Sequence, residues 1–83
     1  MNDTDTSYNG WRNFETWNVV LWIDNDFAIS LIADGHKTYP DPYLSLRKQL
    51  EDSFNYMVTK DGISLYDPEL DIDAINEAIR GDR

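Results

Sequence analysis

Among the side chains with the chemistry to bind or react the acids are the largest class, and two stretches space them roughly as a calcium loop does. Such a loop presents oxygen ligands at alternate positions, with glycine sixth and a bidentate glutamate twelfth. Asp24-Asn25-Asp26 begins that series, but Ala28 and Ile29 occupy its fifth and sixth positions. In the series Asp67, Glu69, Asp71, Asp73, Ile72 stands in the glycine position and Ala78 in that of the closing glutamate. Neither completes a site, so no metal and no cofactor is expected. His36 is the single histidine, and Ser30, Ser45, Ser53 and Ser64 lack any spacing that would make one of them a nucleophile beside it. With no cysteine there is no thiolate and no cysteine-based zinc site. The sequence reads as a non-enzyme with no catalytic residues.

Binding is the remaining chemistry, and charge sets its sign. Sixteen acidic residues against seven basic give a formal charge of −9. Nucleic-acid binders gain affinity by placing Lys and Arg on phosphates, so no direct nucleic-acid binding is expected and a basic protein surface is the natural partner. The imbalance is concentrated late: residues 61–83 hold seven acids and two arginines, a net of −5. In an extended segment, side chains two apart project together, about 6.6 Å from each other. Asp67, Glu69, Asp71 and Asp73 would then form a row, with Leu70 and Ile72 turned inward and Glu77 beyond it. Such a row could fill a groove that normally holds a nucleic-acid backbone, although a helix starting at Asp71 would break it. A second candidate surface is aromatic: Trp11, Tyr39 and Tyr66 lie outside the helical stripes and are residue types that anchor interfaces.

The elements that must carry these residues read as helices. From Phe14 to Ile23 the apolar residues spread around nearly the whole circumference at 100° per residue, the pattern of a buried central helix. Asn13 is its N-cap type, Glu15 and Thr16 are read as capping residues, and Asp24-Asn25-Asp26 ends it. Trp17 and Leu21 are expected to be nearly inaccessible, so that Trp17→Ala would cost about 3–5 kcal/mol. Asn18, inside the apolar sweep, needs partners and is read as tying a neighbouring loop to the helix. Asp26 caps a second helix over 27–34, with Phe27 or Ala28 paired with Leu31 on its apolar side and Gly35 as its C′ glycine. Asp41-Pro42 restarts the chain, and Tyr43, Leu46, Leu50, Phe54 and Met57 predict a third helix running to about Lys60. Residues 63–70 offer at most a bent extended segment. Ile72, Ile75, Ala78 and Ile79 mark a last helix before Gly81.

The run Asn13-Phe14-Glu15-Thr16-Trp17-Asn18-Val19-Val20-Leu21-Trp22 resembles a signature of small, largely uncharacterised proteins of bacteriophages, plasmids and cyanobacterial genomes. The usual form is Asn-Tyr-Glu-Thr-Trp-Asn-Val-x-Leu-Trp, so Phe14 here lacks the tyrosine hydroxyl. The resemblance supplies a biological setting and no reaction.

The sequence thus predicts an all-α, single-domain bundle of about four helices around a buried central helix over 10–83, with a flexible arm over 1–9. The polar, acidic start and the absence of any apolar run near 20 residues argue against export and a membrane anchor and point to the cytoplasm. The functional expectation is a phage-type protein that binds and inhibits a host nucleic-acid-handling or defence protein, of anti-CRISPR or anti-restriction type. The alternative is an accessory or structural phage protein assembling through its aromatic surface with itself or another phage component.

Overall fold

Helix starts are set by side chains that satisfy the first free backbone N–H groups. In the computed structural model, which describes Tyr8 and residues 10–81, Asn13 accepts from the Thr16 N–H at 2.9 Å and opens α1, Phe14–Asn25. Asp26 ends that helix and accepts from the Ile29 N–H at 3.0 Å, so α2, Phe27–Asp34, follows with one residue between. Pro42, whose missing N–H costs nothing in a first turn, opens α3, Pro42–Phe54, although Asp41 makes no side-chain cap. Asp71 accepts from the Ala74 N–H at 3.2 Å and opens α4, Ile72–Arg80, which the left-handed Gly81 closes at φ +82°. Of the arm expected over 1–9, only Tyr8 is among the described residues.

The four helices form an all-α bundle, and no strand occurs among the described residues. α2 and α4 each touch the other three helices, whereas α1 and α3 meet only through them. The core is Val19, Val20 and Ile23 from α1, Ile29 and Ala33 from α2, Tyr43, Leu46 and Leu50 from α3, Ile75 from α4, and Leu65 and Leu70 from the segment before α4. Ile72, Ala78 and Ile79 pack against this core, as the stripe on the last helix predicts.

Four expectations are corrected. Trp17 and Leu21 are only half-buried, because α1 commits the face bearing Thr16, Val19, Val20 and Ile23 to the core. α2 buries Ile29 and Ala33, leaving Phe27 80% and Leu31 59% exposed. Gly35 lies in the right-handed region at φ −68°, so α2 continues into a turn without a left-handed cap. α3 stops at Phe54 because Asn55 turns left-handed at φ +59°, a conformation Asn tolerates, and the Tyr56 N–H then reaches back to the Leu50 carbonyl at 3.0 Å. Phe54, Met57 and Val58 therefore lie exposed on the surface. Beyond them the chain folds into a tight antiparallel turn. The Thr59 N–H donates to the Ile63 carbonyl at 2.8 Å and the Leu65 N–H to that of Met57 at 2.9 Å, with Gly62 at φ +88°.

Candidate functional site

Three polar residues of α1 and its cap hold distant segments of chain in place. The Asn13 amide donates to the Glu69 carbonyl at 2.7 Å. The buried Thr16 hydroxyl accepts from the Asp71 N–H at 2.9 Å, so Thr16 fixes the start of α4 rather than capping its own helix. Asn18, 2% exposed, donates to Asp61 Oδ2 at 2.7 Å and accepts from the Thr59 hydroxyl at 2.6 Å. The Thr59 hydroxyl in turn accepts from the Ile63 N–H at 3.1 Å. Asn18 thus ties a loop to α1, as its place in an apolar sweep predicts.

That tie fixes one wall of an open cleft of about 640 Å³ between α1 with the start of α2 and residues 56–61. Asn18, Leu21, Trp22, Asn25, Asp26 and Ile29 line one side, and Tyr56, Val58, Thr59, Lys60 and Asp61 the other. Trp22 meets Tyr56 edge-on across it, with ring centroids 6.2 Å apart, and Phe54 stacks on Tyr56 at 5.6 Å. A second aromatic group sits at the start of α1, where Tyr8 and Phe14 pack on Trp17 at 4.7 and 5.7 Å. The cleft offers apolar and aromatic contact with a carboxylate toward each end.

The acidic candidates share one region without forming a row. Asp67 Oδ1 is engaged by the Glu69 N–H at 2.8 Å in a local turn, and Asp71 is spent as the α4 cap. Glu69, Asp73 and Glu77 are exposed. Glu69 and Asp73 border a depression of about 320 Å³ with Arg12, yet none of these three acids forms an ion pair among the described residues. Asp73 and Glu77 stand one turn apart on α4. A like-charged pair at that spacing is mildly destabilising, and Glu77 lies toward the negative end of the helix dipole.

Trp11, Tyr39 and Tyr66 each take a different neighbour. Trp11 is half-buried, exchanges backbone hydrogen bonds with Tyr8 and packs on the core. Tyr39 is exposed and stands edge-on to His36 at 5.0 Å. Tyr66 lies under the Arg47 guanidinium, 4.0 Å from its ring centroid, and donates to Glu51, which holds its phenol above the ordinary range. His36 itself is buried between the Ser45 hydroxyl at 3.1 Å and Gln49 Oε1 at 2.5 Å, pinning the α2–α3 connection to α3. Both ring nitrogens are engaged by neutral groups, an arrangement suited to holding the loop in place.

A family model matches residues 4–82, nearly the whole chain: DUF7249, a family of unknown function. The chain belongs to that family. No curated protein and no solved structure shows a match. Family membership therefore adds no activity to the geometry. Among the described residues there is no cluster of three or more metal-ligating side chains, and no helix is long and apolar enough to cross a membrane.

Sequence reasoning missed the cleft because it ran α3 on to about Lys60, which put Phe54, Met57 and Val58 on the core stripe and left no separate 56–61 wall. The available signal was Asn55: an αL-tolerant residue inside an otherwise helical stripe is a place for a helix to end.

Proposed function

We propose that this protein is a non-enzymatic binding protein that docks on a basic surface of a host nucleic-acid-handling or defence protein and inhibits it, working in the host cytoplasm. The supporting observation is the distribution of charge. Lys37 and Lys48 pair with Asp34 and Asp52, Arg80 donates to the Pro40 carbonyl, and Arg47 is committed to Tyr66 and the Leu65 carbonyl. Glu69, Asp73 and Glu77 keep their charge exposed without an ion pair among the described residues, so a basic partner gains more from meeting them than the fold gains from carrying them.

Asp67→Lys would break a turn, so the informative variant is Glu69→Lys/Asp73→Lys/Glu77→Lys, which spares both caps and every core residue. The tagged wild-type protein should retain a specific basic protein from bacterial lysate, with retention falling steeply as salt rises. The folded triple variant should lose it. Equal capture by both, insensitive to salt, would refute the acidic reading. It would then favour assembly through the aromatic surface, for which the exposed Phe54–Tyr56 stack is the supporting observation.

A further inference from the structure

We infer that the cleft between α1 and residues 56–61 is a docking site for an extended basic segment of a partner protein. This inference stands apart from the acidic face and would survive its failure.

Position along α1 gives the cleft its polarity. Asn18, which holds Asp61, and the α1–α2 junction at Asp26 are eight residues apart, or about 12 Å at the helical rise. Each carboxylate has one oxygen engaged internally, Asp61 Oδ2 by Asn18 and Asp26 Oδ1 by the Ile29 N–H. The other oxygen of each is left to accept from a ligand. Between them the walls are Trp22, Tyr56, Leu21 and Val58. An acid at each end with aromatic rings between them complements two cations flanking an apolar side chain, and the ring faces attract cations as well.

Spacing and backbone choose an extended occupant. Residues i and i+4 of an extended chain project to the same side about 13 Å apart, close to the roughly 12 Å of α1 that lies between Asn18, which holds Asp61, and Asp26. Val58 sits opposite Ser64 in the turn, and the flanking hydrogen bonds run from Thr59 and to Met57. Its own N–H and carbonyl are left without a partner among the described residues, and a segment lying along this wall can pair with them as an added strand. The formal charge of −9 would steer a basic segment in. Among the described residues lining the cleft, Lys60, exposed at the rim, is the one cation and opposes it.

The test titrates 15N-labelled protein with acetyl-Arg-Val-Leu-Val-Arg-amide and, as control, the same peptide with Glu for both Arg. Saturable shifts are expected at the Trp22 indole N–H, the Asn18 side-chain amide and the Val58 and Lys60 amides, with the control peptide silent. Lys60→Glu should tighten binding about threefold by removing the opposing charge. Tyr56→Ala should weaken it about tenfold. Tyr56 is exposed, so this variant should keep its circular dichroism melt, and the gain with Lys60→Glu cannot arise from misfolding. Absence of saturation by about 5 mM peptide, weaker than any useful docking, would overturn the inference. So would equal binding of the Glu peptide, shifts confined to Glu69, Asp73 and Glu77, or unchanged affinity in Lys60→Glu. The triple lysine variant of the acidic face should retain the cleft shifts, which separates the two sites.

Discussion

Replacing Asn18 with leucine keeps the branched four-atom side-chain outline, with bulkier methyl groups, and removes the polar tie between α1 and the 59–63 turn. Asp61 is exposed and regains water, so losing its 2.7 Å bond should cost about 1 kcal/mol. Thr59 is 3% exposed, and its hydroxyl would lose the acceptor it now meets at 2.6 Å. A buried group left unpaired costs about 1–3 kcal/mol. The sum, about 2–4 kcal/mol, is a large share of the roughly 4–12 kcal/mol expected for a domain of this size. It corresponds to a fall in Tm of about 10–25 °C. Thr59→Val should cost about 1–3 kcal/mol, because it strands the Asn18 oxygen and the Ile63 N–H instead. The two changes together remove both halves of the Asn18–Thr59 bond, so the double variant should be more stable than additivity predicts, by about 1–2 kcal/mol. Urea unfolding followed by tryptophan fluorescence measures all four proteins. Additivity within about 0.5 kcal/mol would refute the idea that the two side chains satisfy each other.

Three further outcomes follow from the structure. Trp17→Ala should cost only about 1–2 kcal/mol, since the ring is half-buried on Tyr8 and Phe14. Leu46→Ala, at a fully buried position, should cost about 2–5 kcal/mol, and the reverse order in equilibrium unfolding would contradict this placement of α1. Stability should fall above pH 10. Burial raises the Tyr43 phenol well above its ordinary value of 10.0, so the unfolded chain releases that proton first while the folded chain retains it. The Tyr43 contribution is complete below pH 10 and is lost as pH rises toward the folded value. Tyr43→Phe should therefore flatten the alkaline limb in urea titrations, and an unchanged slope would show that Tyr43 does not drive it.

Helix beginnings were legible because they depend on local chemistry: Asn13, Asp26 and Asp71 cap where a short polar side chain precedes an apolar run, and Pro42 sits where its missing N–H does no harm. The role of Asn18 was legible for a related reason, since a buried amide must find partners wherever the chain can supply them. What the sequence did not disclose is which apolar residues face inward. α1 and α2 carry more apolar side chains than one core can take, and periodicity alone does not distinguish Val19, Val20 and Ile23 from Trp17 and Leu21. On α2 the same ambiguity hid Ile29 and Ala33 behind the larger Phe27 and Leu31. The candidate acids were identifiable by type, but their row depended on an extended 67–73 segment that the Asp67 turn and the Asp71 cap replace.

The Asn18, Thr59 and Asp61 cluster bears on function through what it prevents. Trp22 and Tyr56 already meet edge-on, but Leu21 and Val58 line the open part of the cleft, and burying more of this surface would be favourable at about 25 cal/mol per Å² removed from water. Two short hydrogen bonds join Asn18 to the 59–63 turn and hold it where it is, one accepted by Asp61 and one donated by the Thr59 hydroxyl. Buried polar groups seldom add net stability over well-packed apolar ones, and their best-attested use is to specify one arrangement among several. Here they fix the turn so that the cleft stays open beside the Trp22–Tyr56 contact, the form that the proposed docking segment would use.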